Sequence, residues 1–402
     1  MKVSIPSEIG DQNKYAILKL IKENAGISRN YIAKSLHISA TAVSKNVNAL
    51  IAAGIVREEG TNYSTLGRKP VMLHFNSEML CVLGIEIMPQ VLRGAISDLN
   101  GTVLKLLNVP SMIEQGAASV LSQLDQLINT LIGICPKNSR VATATIAFPA
   151  LSAQYDENNL MSTFAPEWKE IDIRKHVEEK FNISVTVKND VELDLIGECY
   201  KGAGVNYKNI FYLKYGEGFA ARAMINGKLL GGYNGAAGEL GYYINEIPKS
   251  DRFLCPGVTE QFLCRDIFNE YKNKSEKQID EKDSKLKFRD LVNFADSGDD
   301  AAIDIVNHVV DSIAVIIANM VLMLDPEIVI LGAEASYLRE SDITRIEQIL
   351  KATCPFVPKI VLSTLGFNSS IIGGINIALK DAERELVNYW KQLDTTEVTV
   401  IK

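Results

Sequence analysis

The stretch ISRNYIAKSLHISATAVSKNVNALIAAG, residues 27–54, decides how the chain begins. Ser28 is placed to cap a helix running from Arg29 to Leu36, and Ser39 a second one from about Ala40 to Ala53, closed by Gly54. Between them lies the turn Leu36-His37-Ile38-Ser39, with His37 at a position that takes left-handed backbone and small Ala33 where the helices must cross. Upstream, Ile17, Leu18, Leu20 and Ile21 mark one more amphipathic helix over Asn13 to Glu23, stopped by Gly26. Helix, tight turn and helix at this spacing describe a helix-turn-helix. At 100° per residue, Val43, Val47, Leu50 and Ile51 form the inward stripe of the last helix. Thr41, Ser44, Lys45 and Asn48 fall on the other side, short hydrogen-bonding groups and one cation suited to base edges and phosphates.

Two short strands follow, Ile55 to Glu59 and Val71 to Phe75, flanking the loop Gly60 to Pro70. The loop contains Ser64-Thr65-Leu66-Gly67-Arg68-Lys69-Pro70 and reads as a wing that offers Arg68 and Lys69 to a phosphate backbone or a narrow minor groove. Charge agrees. Residues 1–74 hold ten Lys/Arg against five Asp/Glu, whereas the remainder holds 32 against 44, so a basic head precedes an acidic body within a net charge of −7.

The 402 residues, 47% hydrophobic and 23% charged, exclude wholesale disorder and suit two or three domains. Ser312 to Leu324, the most apolar stretch, is expected to be a buried helix too short to cross a bilayer. No secretory signal is visible over Met1 to Lys22, and the six cysteines include no C-x-x-C pair, so the expected location is a reducing cytoplasm. From Cys81 onward a pattern repeats. A strand Cys81 to Glu86, a turn, a strand near Leu92 to Asp98 and Asn100-Gly101 return as Asn209 to Lys214, Tyr215-Gly216-Glu217-Gly218, Phe219 to Ile225 and Asn226-Gly227. Strand–helix units follow, such as Val141 to Phe148, Ile171 to Phe181 and Val185 to Lys188. Two such copies make a two-lobed α/β body with a cleft between the lobes, similar to actin, the heat-shock ATPases and the sugar kinases.

On these residues the chain resembles a transcriptional regulator of the ROK family (repressor, open reading frame, kinase). Ser64 to Pro70 resembles that family's S-x-x-G-R-[RK]-P wing, Trp168 to Asp172 its W-R-D segment, and Lys188-Asn189-Asp190 its E-N-D. GGYNGAAGELG at Gly231 to Gly241 resembles the signature G-x-x-G-x-A-G-E-x-G-H up to its last residue, and Leu324 to Gly332 the adenosine-side strand. Active members hold magnesium and ATP on glycine-rich turns and use the aspartate of N-D as base. This chain keeps Asn189 and Asp190 but departs where ATP would sit. The first turn reads Glu86-Ile87-Met88-Pro89-Gln90, the second carries Glu217, the adenosine side reads Ala333-Glu334, and Phe148-Pro149-Ala150 replaces V-P-G. A carboxylate beside a phosphate repels it.

By the same resemblance, a ligand's hydroxyls would meet Asn189, Asp190, Glu239, Tyr242 and Glu260. Tyr242 stands where the family has a histidine touching both sugar and zinc, and Ala165 stands near a usual sugar-contacting Asn, so the ligand need not be a common hexose. The zinc loop survives only as Asp251 to Glu260 with Cys255 off register, so no metal is expected. The expectation is an α/β chain with a winged helix-turn-helix over 1–76. Residues 77–402 form an actin-like (ribonuclease H-like, sugar-kinase-type) body that binds ligand and oligomerises, with lobes of roughly 77–190 plus the C-terminal helix and 191–369. The expected partners are a double-stranded DNA operator, a sugar or sugar-derived effector and further copies of the chain as homodimer or homotetramer, with no membrane and no cofactor. The expected function is a non-enzymatic repressor; the alternatives are a sugar kinase with a DNA-binding appendage and a regulator that binds a partner protein. Asp190 is expected either to contact the ligand or to cap the helix Val191 to Cys199.

Overall fold

The computed structural model describes residues 6–60, 63–64, 67–68, 71–149, 151–152, 160–161, 171–244, 257–275 and 286–399, with side chains left out at 6–12, 63–64, 67–68, 151–152, 160–161 and 387–399. The head is built from local signals. Ser28 and Ser39 accept backbone N–H bonds from Tyr31 and Ala42 and cap the helices Arg29–Leu36 and Ala40–Ala52, and His37 is left-handed at φ 54°. The first helix is Pro6–Glu23, longer than the apolar pattern indicates. Its start is marked by Pro6, whose fixed φ and missing N–H suit a first helical turn. Val56–Glu59 and Met72–Phe75 pair antiparallel, and Tyr63–Ser64 pairs with Gly67–Arg68, so the wing backbone is a hairpin. Ile51, expected in the inward stripe, is only partly buried beside fully buried Val43, Val47 and Leu50.

The repeat in the sequence is a repeat in topology. One five-stranded sheet has the order Ser184–Asn189, Arg140–Phe148, Leu80–Ile87, Val91–Asp98, Val103–Pro110. The other runs Lys359–Leu362, Ile328–Ala333, Ile210–Tyr215, Phe219–Ile225, Lys228–Leu229. In each, the first strand of the copy pairs antiparallel with the second and parallel with the fourth. The two Asn-Gly turns differ. Asn226-Gly227 has positive φ at both residues, whereas at Asn100-Gly101 only the glycine does, because Asp98 Oδ1 accepts the N–H groups of Asn100 and Thr102.

The apolar stretch at Ser312 belongs to a longer helix, Asp300–Leu324, so the expectation that it is too short to cross a membrane is corrected: by length and composition alone this 25-residue helix passes. Its inward positions, including Ile305, Val309, Ile313 and Ile317, are packed against Phe211, Leu213, Val329 and Leu331 of the second sheet. That buried side is what the apolar run serves.

The C-terminal helix, Ser369–Thr399, joins the parts. Ile371, Ile375 and Leu379 cover the first sheet through Val82, Ala95 and Ala142, and Ala382 and Leu386 continue into the same core as Ile17, Ile21 and Leu73 of the head. Lys22 forms an ion pair with Glu383 across that junction. The helix lies very close to Asp190–Lys201. A Cβ added at Gly373 would stand 1.9 Å from the Leu193 carbonyl oxygen, and one at Gly197 2.0 Å from that of Ser369. Only glycine permits this crossing.

Candidate nucleic-acid interface and ligand cleft

On the helix Ala40–Ala52, Thr41, Lys45 and Asn48 are exposed and Ser44 is half-buried, opposite the stripe Val43, Val47, Leu50. The four form a single polar face. The Arg68 side chain and all of Lys69 lie outside the described residues. Arg29 is held by Glu58 at 2.7 Å, which ties the preceding helix to the first wing strand.

The five residues expected at a ligand line one cavity of about 530 Å³ between the lobes. It opens at the ends of Leu80–Ile87, Ser184–Asn189, Ile210–Tyr215 and Ile328–Ala333, where parallel strands of an α/β sheet commonly present ligands. Asn189 caps the helix Asp190–Lys201, its Oδ1 accepting from the N–H groups of Val191 and Glu192 at 3.0 and 3.1 Å. The capping role considered for Asp190 therefore belongs to its neighbour, because the cap must precede the first helical residue.

Asp190 has a different partner. Lys214 Nζ lies 2.7 Å from Asp190 Oδ2 and 2.9 Å from Asp194 Oδ2, and all three side chains are largely buried. Burial by itself depresses the Lys214 ammonium, but the two aspartates and Glu86 outweigh it and hold the group charged. Asp194 is pushed up to about 7 by burial, with Asp190 and Glu86 adding to the rise and Lys214 opposing it. Glu86, at the first turn, is buried, paired with Arg93 and bonded by Ser370 Oγ. Glu239 is held at 2.9 Å by buried Arg222, and Glu260 at 3.5 Å by Arg265. Burial raises Glu260 above its ordinary value.

The nucleotide side is altered in shape as well as charge. Glu334 is buried against Gly216, where an added Cβ would stand 3.1 Å from Glu334 Cγ, and its Oε2 accepts the Arg289 N–H at 3.1 Å. The Glu334 carboxyl is raised, chiefly by burial. Ala333, standing where a glycine is usual, keeps a glycine-like backbone at φ 54°, ψ −127°. Glu217 is exposed in the lining.

Sequence reasoning missed Lys214, Asp194, Arg93 and Arg222. The signal was present for two of them: a lysine inside the apolar run Ile210 to Tyr215, and an aspartate one helical turn beyond Asp190. Among the described residues, no group of three His, Cys, Asp or Glu side chains is placed to hold a metal. His176 bonds Asp125 and His308 packs on Phe262. Residues 251–256, Ala165 and Trp168 lie outside the described residues.

Fold and site together define a sugar-kinase-like, two-lobed body carrying a winged helix-turn-helix. The chain belongs to the ROK family, whose pattern matches residues 82–381, and a winged helix-turn-helix DNA-binding pattern matches residues 10–57. It is 26% identical over 356 residues to the xylose repressor of Bacillus subtilis, covering 88% of each chain. It is 24% identical to a glucokinase of Halalkalibacterium halodurans, over 73% of this chain and 93% of that one. The crystal structure of a ROK family transcriptional regulator, a homologue of the Escherichia coli MLC protein, superposes with a TM-score of 0.73 at 20% identity, over 95% of this chain and 98% of the other.

Proposed function

We propose that this protein is a cytoplasmic DNA-binding transcriptional repressor whose cleft binds a sugar or sugar-derived effector and no longer transfers phosphate. The observation that carries the reading is Lys214. The Asp190 carboxylate is already ion-paired, its Oδ2 accepting from an ammonium at 2.7 Å, while Glu334 fills the space beside Gly216. A base so occupied, facing a phosphate site filled by a carboxylate, suits recognition better than phosphoryl transfer, which depends on positioning and charge neutralisation. Asn189, Asp190, Glu239, Tyr242 and Glu260 then act as donors and acceptors for ligand hydroxyls. Thr41, Ser44, Lys45 and Asn48 read the major groove, and Arg68 and Lys69 grip the backbone from the wing.

The C-terminal helix supplies the link between cleft and head. Its start lies at the cleft, where Ser370 bonds Glu86 and the preceding turn contributes Gly366 and Phe367 to the lining. Its further turns pack into the head. A ligand that closes the lobes on this helix changes the seat of the head, and operator affinity changes by the differential binding energy. Two heads in a homodimer or homotetramer would read a pseudo-palindromic site.

Selection of bound duplexes from a random library with the full chain, followed by titration of sugars into the complex, tests this. Enrichment of one sequence that a sugar releases is expected; enrichment of none overturns it. A sugar-kinase reading is favoured by the retained Asn189-Asp190 pair in the cleft. ATP-dependent phosphorylation of any hexose, lost in Asp190→Asn, would establish it instead.

A further inference from the structure

The cavity holds more than a single sugar ring requires. At about 530 Å³ it is within the range of roughly 300–1,000 Å³ that accommodates drug-sized ligands, and a monosaccharide is well below that size. The hydroxyl-reading residues named above occupy one part of the lining. The part beyond them is the side where kinases of the family would hold nucleotide, and it carries two aromatic rings among its charged groups. Tyr337 and Phe367, 39% and 41% exposed, face each other with ring centroids 6.1 Å apart at 44°.

The backbone under Phe367 is tied to the first lobe: Arg93, itself paired with Glu86, donates to the Phe367 carbonyl. Charges around the two rings balance, with Glu217 and Glu334 against Lys287 and Arg289. An aromatic platform flanked by two anionic and two cationic groups suits a neutral ring whose C–H edges meet the negative faces of the aromatics and whose hydroxyls meet the charged groups. It does not suit a triphosphate, because Glu334 lies against Gly216.

The geometry points to a second-ring subsite: the effector is a glycoside, with its first sugar at Glu239 and Glu260 and its second sugar or aryl ring laid against the exposed surface that Tyr337 and Phe367 form together. This rests on the proposal that the cleft binds sugar.

The test uses the full chain and calorimetric titration with matched probes. Glucose, xylose and N-acetylglucosamine are each compared with their own β-1,4-linked disaccharide and their own 4-nitrophenyl β-glycoside. For whichever monosaccharide binds, a two-ring partner is expected to bind roughly tenfold tighter, the size of one or two aromatic contacts. Tyr337→Ala and Phe367→Ala should each remove most of that gain while leaving monosaccharide affinity unchanged, which also shows that the variants fold. Tyr337→Phe should keep the gain. A gain for disaccharides alone assigns the site to a second sugar, and a gain for aryl glycosides alone to an aglycone. Binding of a monosaccharide with no gain for its two-ring partners, or equal loss of both in Tyr337→Ala, overturns the subsite and leaves the sugar-binding proposal standing. Binding of none of the probes overturns both.

Discussion

Replacing Asp194 with asparagine should abolish a pH dependence that the parent protein carries in its stability. The carboxyl is pushed from an ordinary 3.8 up to about 7, primarily by burial and then by Asp190 and Glu86 against the pull of Lys214. Between those values the folded protein holds a proton that the unfolded chain has released. Stability is therefore full at the acid end and falls as pH rises through the window, by up to about 1.4 kcal/mol per unit and roughly 4 kcal/mol in all. Above about pH 7 this contribution is flat. Asparagine keeps the shape, takes no charge and leaves Lys214 paired with Asp190 alone. Urea unfolding of both proteins, followed by circular dichroism at several pH values from about 5 to 8, reads the difference directly. The parent should lose stability relative to Asp194→Asn on going from the lowest to neutral pH, then run parallel to it. Two curves separated by a constant amount across the whole range would refute the assignment of a buried, raised carboxyl at this position.

Other outcomes follow from the same structure. Asn189→Ala should destabilise by about 1 kcal/mol through loss of the helix cap, and Asn189→Asp much less, by thermal unfolding. Ala333→Gly should stabilise by about 1 kcal/mol, since relief of a left-handed alanine exceeds the entropy glycine adds to the unfolded chain; an unchanged midpoint would count against strain there. Gly373→Ala should lower the melting temperature by forcing apart the two helices, a cost on the order of 1–3 kcal/mol or more. Arg68→Ala should weaken binding to all duplexes alike and reduce the salt slope by about one, whereas Ser44→Ala or Asn48→Ala should alter which sequence is selected.

The head was legible because its determinants are local. Ser28, His37, Ser39 and Gly54 are signals that act within a few residues, and the structure uses them as written. The body's repeat was equally legible, since a strand–turn–strand pattern leaves the same trace wherever it recurs. The cleft was legible only as a set of acids. The spacing of Asn189, Asp190, Glu239 and Glu260 says nothing about what neutralises them, because their partners approach from other elements: Lys214 from a strand, Arg222 from its neighbour, Arg265 from a helix.

By itself, then, the sequence determined the elements, the caps of the head's helices, the duplicated topology and the polar face of Ala40–Ala52, all set by interactions over short stretches of chain. Tertiary structure alone decided that a lysine sits on Asp190 and that Glu334 reaches Gly216 across 118 positions. It also decided that one helix runs from the cleft to the head, through a crossing that needs glycines at 197 and 373. The reason is physical. A cap or a turn is complete within one turn of helix, but whether a buried charge is stable depends on which opposite charge the fold brings to it, and that proximity is not written in the spacing along the chain.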